Sequence, residues 1–89
     1  RIMFTTDDNF TEIAAKLANE LENAGAHVCG SVYDFGYKGG EDAVWIAADS
    51  TPHFFNYWDG KIDERLEAIV EKYGYHFEWN DAGTIMAYK

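Results

Sequence analysis

Two segments constrain what this chain can fold into more than any other feature. The first, "NFTEIAAKLANELENAGA", sets Phe10, Ile13, Ala14, Leu17, Leu21 and Ala24 at helical spacing. The second, "KIDERLEAIVEKYG", does the same with Ile62, Leu66, Ile69, Val70 and Tyr73. Gly25 and Gly74 close them, as glycine commonly does at a helix end. Asn9 is the expected N-cap of the first helix, and Glu12 three residues later completes a capping box. A helix with one apolar stripe must bury that stripe against another layer.

The rest of the chain supplies the layer. "RIMFTT" reads as a first strand. "HVCGSVYDFGYK" alternates, with Cys29, Tyr33, Phe35 and Tyr37 on one face and Val28, Val32 and Asp34 on the other. The turn "KGGE" joins it to the buried-strand pattern "AVWIAA". "YHFEW" and "TIMAY", separated by "NDAG", form a closing hairpin. Residues 50–60 between these blocks suit either a short helix or an ordered loop. The order is β-α-β-β-α-β-β. The expectation is an α+β fold on the ferredoxin-like βαββαβ plan, an antiparallel sheet with two helices on one face and an extra C-terminal hairpin strand. All 89 residues form one domain in this reading.

Charge narrows the function classes. Sixteen acidic residues face seven basic ones, a formal charge of −9. Contact with bare nucleic acid or an anionic membrane needs a basic patch, so both are disfavoured. The hydrophobic fraction of 47% and aromatic fraction of 17% argue against disorder. Cys29 is the single cysteine, which rules out an internal disulfide. The opening "RIMFTTDD" lacks the pattern of a signal peptide, and no apolar run approaches the roughly 20 residues of a spanning helix. A cytoplasmic protein is expected.

Catalytic and metal motifs are weak. His27 and Cys29 share a strand face and, with His53 or His76, could ligate a metal, but the spacings typical of zinc sites do not occur. Cys29 with His76, or Ser50 with His53, could pair as nucleophile and base; such pairs are spatial and carry no sequence signature here. "YKGGED" has neither the P-loop nor the dinucleotide pattern. No metal, cofactor or catalytic residue is assigned, and the chain is read as a non-enzyme.

"STPHFFNYWDG" holds four aromatics in five positions. Core packing is the commonest fate of such rings in a small domain. Phe54 and Phe55 are read as inward, and Tyr57 and Trp58 as outward, where Tyr and Trp make binding hot spots. Charge adds a second signal. Glu12, Lys16 and Glu20 alternate in sign along the first helix, whereas Asp63, Glu67 and Glu71 repeat at i, i+4 with one sign, widened by Glu64 and Asp59. An ordinary solvated acidic surface gives the same pattern.

The function expected from these features is protein binding. Asp59, Asp63, Glu64, Glu67 and Glu71, flanked by Tyr57 and Trp58, would dock on the basic surface of another protein, naturally one that binds nucleic acid. Small size, strong acidity and the lack of a catalytic motif loosely resemble phage-encoded inhibitors of the anti-CRISPR or anti-restriction type. That resemblance implies mimicry of nucleic acid. The alternatives are a ferredoxin-like regulatory domain holding a small ligand between Tyr33, Tyr37 and Trp45, and a small hydrolase or transferase.

Overall fold

Thr11, not Asn9, starts the first helix. The structure, a computed structural model that describes residues 3–89, places α1 over Glu12–Asn23. The Thr11 hydroxyl accepts from the Ala14 N–H at 3.2 Å. Asn9 instead sits in the left-handed region at φ 63°, ending a 3-10 turn at Thr6–Asp8. Asparagine tolerates that conformation better than most residues. The capping box lies on the same turn, between Thr5 and Asp8. Ala14, Ala15, Leu17, Ala18 and Leu21 form the buried face of α1, whereas Ile13, expected inside, is 41% exposed. At the far end Gly25 turns the chain at φ 112°, and a side chain there would meet the Phe54 ring at 2.9 Å.

The sheet is antiparallel throughout. β1 (Val28–Ser31), β2 (Val44–Ala47), β6 (Thr84–Tyr88) and β5 (His76–Asp81) lie side by side in that order. β3 (Phe55–Asn56) and β4 (Lys61–Ile62) form a separate small hairpin. α2 spans Glu64–Lys72. Register follows the pleat. Val44 pairs with Ala87 and Ile46 with Ile85, while Phe77 and Trp79 pair with Ala87 and Ile85 from the other side. That row faces the helices and packs with Leu17, Leu21, Phe55, Leu66 and Val70 into one core. Full burial of a side chain such as Leu17 stabilises the fold by roughly 1.5–3 kcal/mol.

The result is a small α+β domain with both helices on one face of an antiparallel sheet. It departs from the ferredoxin-like plan in strand order and at its start: the last strand, β6, expected as an added hairpin strand, instead takes a central place between β2 and β5. Of the expected first strand, Arg1 and Ile2 lie outside the described residues, and Met3–Thr5 is not a strand. The Phe4 peptide pairs with a side chain instead: its N–H donates to Asn19 Oδ1 at 2.7 Å, and its carbonyl accepts from Asn19 Nδ2 at 2.8 Å. With those groups satisfied by α1, this stretch has no need of a strand neighbour.

The second strand is also shorter than its alternation suggested. β1 ends at Ser31, and Tyr33–Phe35 is a 3-10 turn. The register slips at Cys29, and the Gly30 backbone lies beneath the Phe35 ring, 3.7 Å from where a Cβ would stand. Tyr33, Phe35 and Tyr37 therefore belong to a connection rather than to one strand face. The closing hairpin matches expectation closely, and the acidic helix does so except at its start, where Lys61 and Ile62, expected to be helical, form β4. Leu66 and Val70 are buried, while Ile62, Ile69 and Tyr73 pack against the core from partly buried positions.

Candidate protein-docking site

Of the two expectations for residues 50–60, the short helix does not form: past a 3-10 turn at Ala48–Ser50 the chain is an ordered connection that carries a small hairpin. Thr51 accepts backbone bonds from the Phe54 and Phe55 N–H groups, and β3 and β4 follow as a two-residue ladder. The turn between them, Tyr57–Gly60, is fixed by its own side chains. Asn56 Oδ1 accepts from the Trp58 N–H at 3.1 Å, and Asp59 Oδ1 accepts from the Lys61 N–H at 3.0 Å. Such local bonds are why Asn and Asp favour turns. Gly60 closes the turn at φ 71°. The Asp63 N–H then donates to the Phe54 carbonyl at 2.8 Å, which ties the hairpin to the start of α2.

The four rings separate by depth. Phe55 is 3% exposed, Phe54 is partly buried, Tyr57 is 41% exposed and Trp58 is 87% exposed. Edge-to-face contacts link the inner and outer rings. Phe55 meets Phe77 at 5.4 Å, Tyr57 meets Trp79 at 5.2 Å, and Tyr57 meets Trp58 at 5.3 Å. This geometry is the favoured one for aromatic pairs. It holds Tyr57 in place beneath a Trp58 that projects into solvent.

An open groove of about 1020 Å³ runs between this hairpin and the first turn of α2. Asp59, Asp63, Glu64 and Glu67 line it, together with Lys61 and Arg65. Of the anticipated acidic residues, the structure thus brings four together. Glu71 lies on the last turn of α2, outside the groove lining, and Tyr57 and Trp58 stand on the adjoining tip.

The carboxylates are not equivalent. Asp63 precedes the helix and caps it, accepting from the Arg65 N–H at 2.8 Å. It also pairs with the Arg65 guanidinium through two contacts of 3.1 Å. That side-chain bond to Arg65 is the main reason its carboxyl titrates below the ordinary value of 3.8. The expected one-signed stripe is therefore broken at its first position, because Asp63 carries its own counterion. Glu64 and Glu67 sit in the first turn of α2, where the positive end of the helix dipole favours them. On α1, Glu20 pairs with Lys72 of α2 rather than with Lys16, so a helix–helix ion pair replaces the expected compensation along α1.

Sequence reasoning missed Phe54 and Arg65 as a unit. The guanidinium lies 5.7 Å from the centre of the Phe54 ring, and this contact forms part of the groove wall. Asp63 immediately before an apolar helical run was a readable N-cap signal. The packing of Arg65 on Phe54 had no signal in local spacing.

Of the other candidate groups, Cys29 and His76 are apart. Cys29 stands on one edge strand and His76 on the opposite one, three strands away, or about 14 Å at the usual strand spacing. His76 Nε2 instead lies 2.8 Å from Glu78 Oε2. Burial, before the charges of Glu22 and Asp49, raises the Cys29 thiol. Among the described residues no group of three or more His, Cys, Asp or Glu side chains is placed to hold a metal. No described helix is long and apolar enough to cross a membrane. No family model, curated protein or solved structure matches the chain.

Proposed function

We propose that this protein binds another protein, docking the Tyr57–Trp58 tip and the groove carboxylates onto a basic surface. The observation that carries this reading is Trp58. A tryptophan 87% exposed on a tip whose backbone is pinned by Asn56 and Asp59 is a large apolar side chain held out to solvent. Such a side chain gains most by being covered, and tryptophan dominates interface hot spots. The neighbouring groove carries four carboxylates against two basic groups, and Asp63 and Arg65 already satisfy one another. Glu64, Glu67 and Asp59 are left to meet lysine or arginine from a partner. A nucleic-acid-binding surface is the natural owner of such residues, and covering it would inhibit that partner.

Affinity capture with the wild type beside Trp58→Ala tests this. The expected partner has a basic face, is displaced by added duplex DNA, and loses at least about 2 kcal/mol of binding to the variant, the lower bound for a hot spot. A partner held equally by both proteins and indifferent to DNA would remove the proposal.

A further inference from the structure

The face of the sheet turned away from both helices carries a second exposed aromatic group. Gly30, Trp45, Met86 and Glu78 lie side by side across its four strands. The β1–β2 connection folds back over part of this row, where Val32 and Ala43 are buried with Met86. Phe35 stacks flat on Trp45, with centroids 4.6 Å apart and planes within 4°. Tyr37 lies against the same indole at 5.8 Å. Phe35 is nevertheless 44% exposed and Tyr37 47%. Their outer surfaces form an aromatic ledge on a rigid base, and exposed apolar patches of this kind mark interaction sites.

Carboxylates border the ledge. Asp34 and Phe35 converge over Gly30, with Asp34 Oδ2 3.4 Å from where a Cβ would stand, while Oδ1 accepts from Asn9 Nδ2 at 2.5 Å and leaves the carboxylate charge without a counterion among the described residues. Glu78 projects from the same sheet face beyond Met86, two strands from Trp45, where it pairs with His76. The Tyr88 hydroxyl titrates high, chiefly through burial and then through the negative charge of Glu78, with Tyr37 and Asp42 adding to it. Lys38 is the one basic residue between Ser31 and Val44. An aromatic surface with a carboxylate rim selects a cation that can also stack. The guanidinium is flat and weakly hydrated, whereas the lysine ammonium is compact and strongly hydrated.

We propose that Phe35, Tyr37 and Trp45 form a second docking ledge, which takes an arginine side chain of a partner protein, stacked on an exposed ring and paired with the Asp34 carboxylate. The ledge lies on the opposite side of the sheet from the core that Phe55 joins, so it stands or falls independently of the Trp58 site.

Titration with a tetra-arginine peptide, followed by NMR, tests it, with a tetra-lysine peptide as control. The Trp45 indole N–H and the Tyr37 ring signals are expected to move saturably, with the arginine peptide binding about fivefold tighter. Phe35→Leu and Tyr37→Leu should each lose that preference, and Trp58→Ala should keep it. Should Phe35→Leu fail to fold, the exposed Tyr37→Leu still reads the outcome. Equal binding of the two peptides, or shifts concentrated at residues 59–67, would overturn the proposal. So would stronger shifts with an oligouridylate, which would make the ledge a base platform. A concentration-dependent dimer broken by Phe35→Asp would also overturn it, assigning the face to a second copy.

Discussion

Phe55 and Trp58 lie three positions apart and do opposite things. Phe55 is 3% exposed within the core, so Phe55→Ala is expected to destabilise the domain by about 3–5 kcal/mol in denaturant melts. Trp58→Ala removes a ring that is 87% exposed and should stay within about 0.5 kcal/mol of wild type. A reversed order would mean that the tip packs inward in solution. Gly40 tests packing in the other direction. A Cβ there would stand 2.7 Å from the Tyr33 nitrogen and 2.9 Å from the Val32 carbonyl carbon, both backbone atoms that cannot swing aside. Gly40→Ala should therefore cost about 1–3 kcal/mol, the range of other overpacked sites. At this scale the sequence was legible in part. The division of the four rings into inner and outer pairs could be read, because Phe and Tyr/Trp differ in polarity. Arg65 on Phe54 and Phe35 on Trp45 could not, since both depend on how distant backbone segments approach.

Each helix has a start that can be tested. Thr11→Ala removes the side-chain acceptor for the Ala14 N–H and should cost about 1 kcal/mol. Asp63 adds a pH signature at the start of α2. Its carboxyl is held below 3.8 by Arg65, so its folded form releases the proton more readily than the unfolded chain. The stabilisation is complete above 3.8 and is lost as the pH falls through the lower folded value. Asp63→Asn keeps a capping oxygen but loses the ion pair. It should melt below wild type at neutral pH, and the gap should close on acidification below 3.8; a gap independent of pH would show that the pair contributes nothing. Both helices and the closing hairpin were legible because their apolar periods are long and bounded by turn residues. The Asn9 cap and the long second strand were misread for a shared reason. Local pattern suggested them, but Thr11 is tied to the Glu41 carbonyl at 2.9 Å, and Gly30 admits the Phe35 ring. Those long-range contacts decide where the elements begin and end.

At the scale of the whole molecule, the charge of −9 acts through every surface at once. Self-repulsion of like charges destabilises the compact state, so raising the salt from low to physiological levels, where the Debye length is about 8 Å, should raise Tm. The same field that strains the free protein would steer it to a basic partner. The central claim is that Glu64 and Glu67 in the groove serve this docking rather than solubility alone. The most direct measurement is the association rate of the captured partner with wild type and with Glu64→Gln/Glu67→Gln, each at low and high salt. The account predicts a slower on-rate for the double variant at low salt, a flatter salt dependence and an unchanged fold. Identical on-rates and identical salt slopes would contradict it.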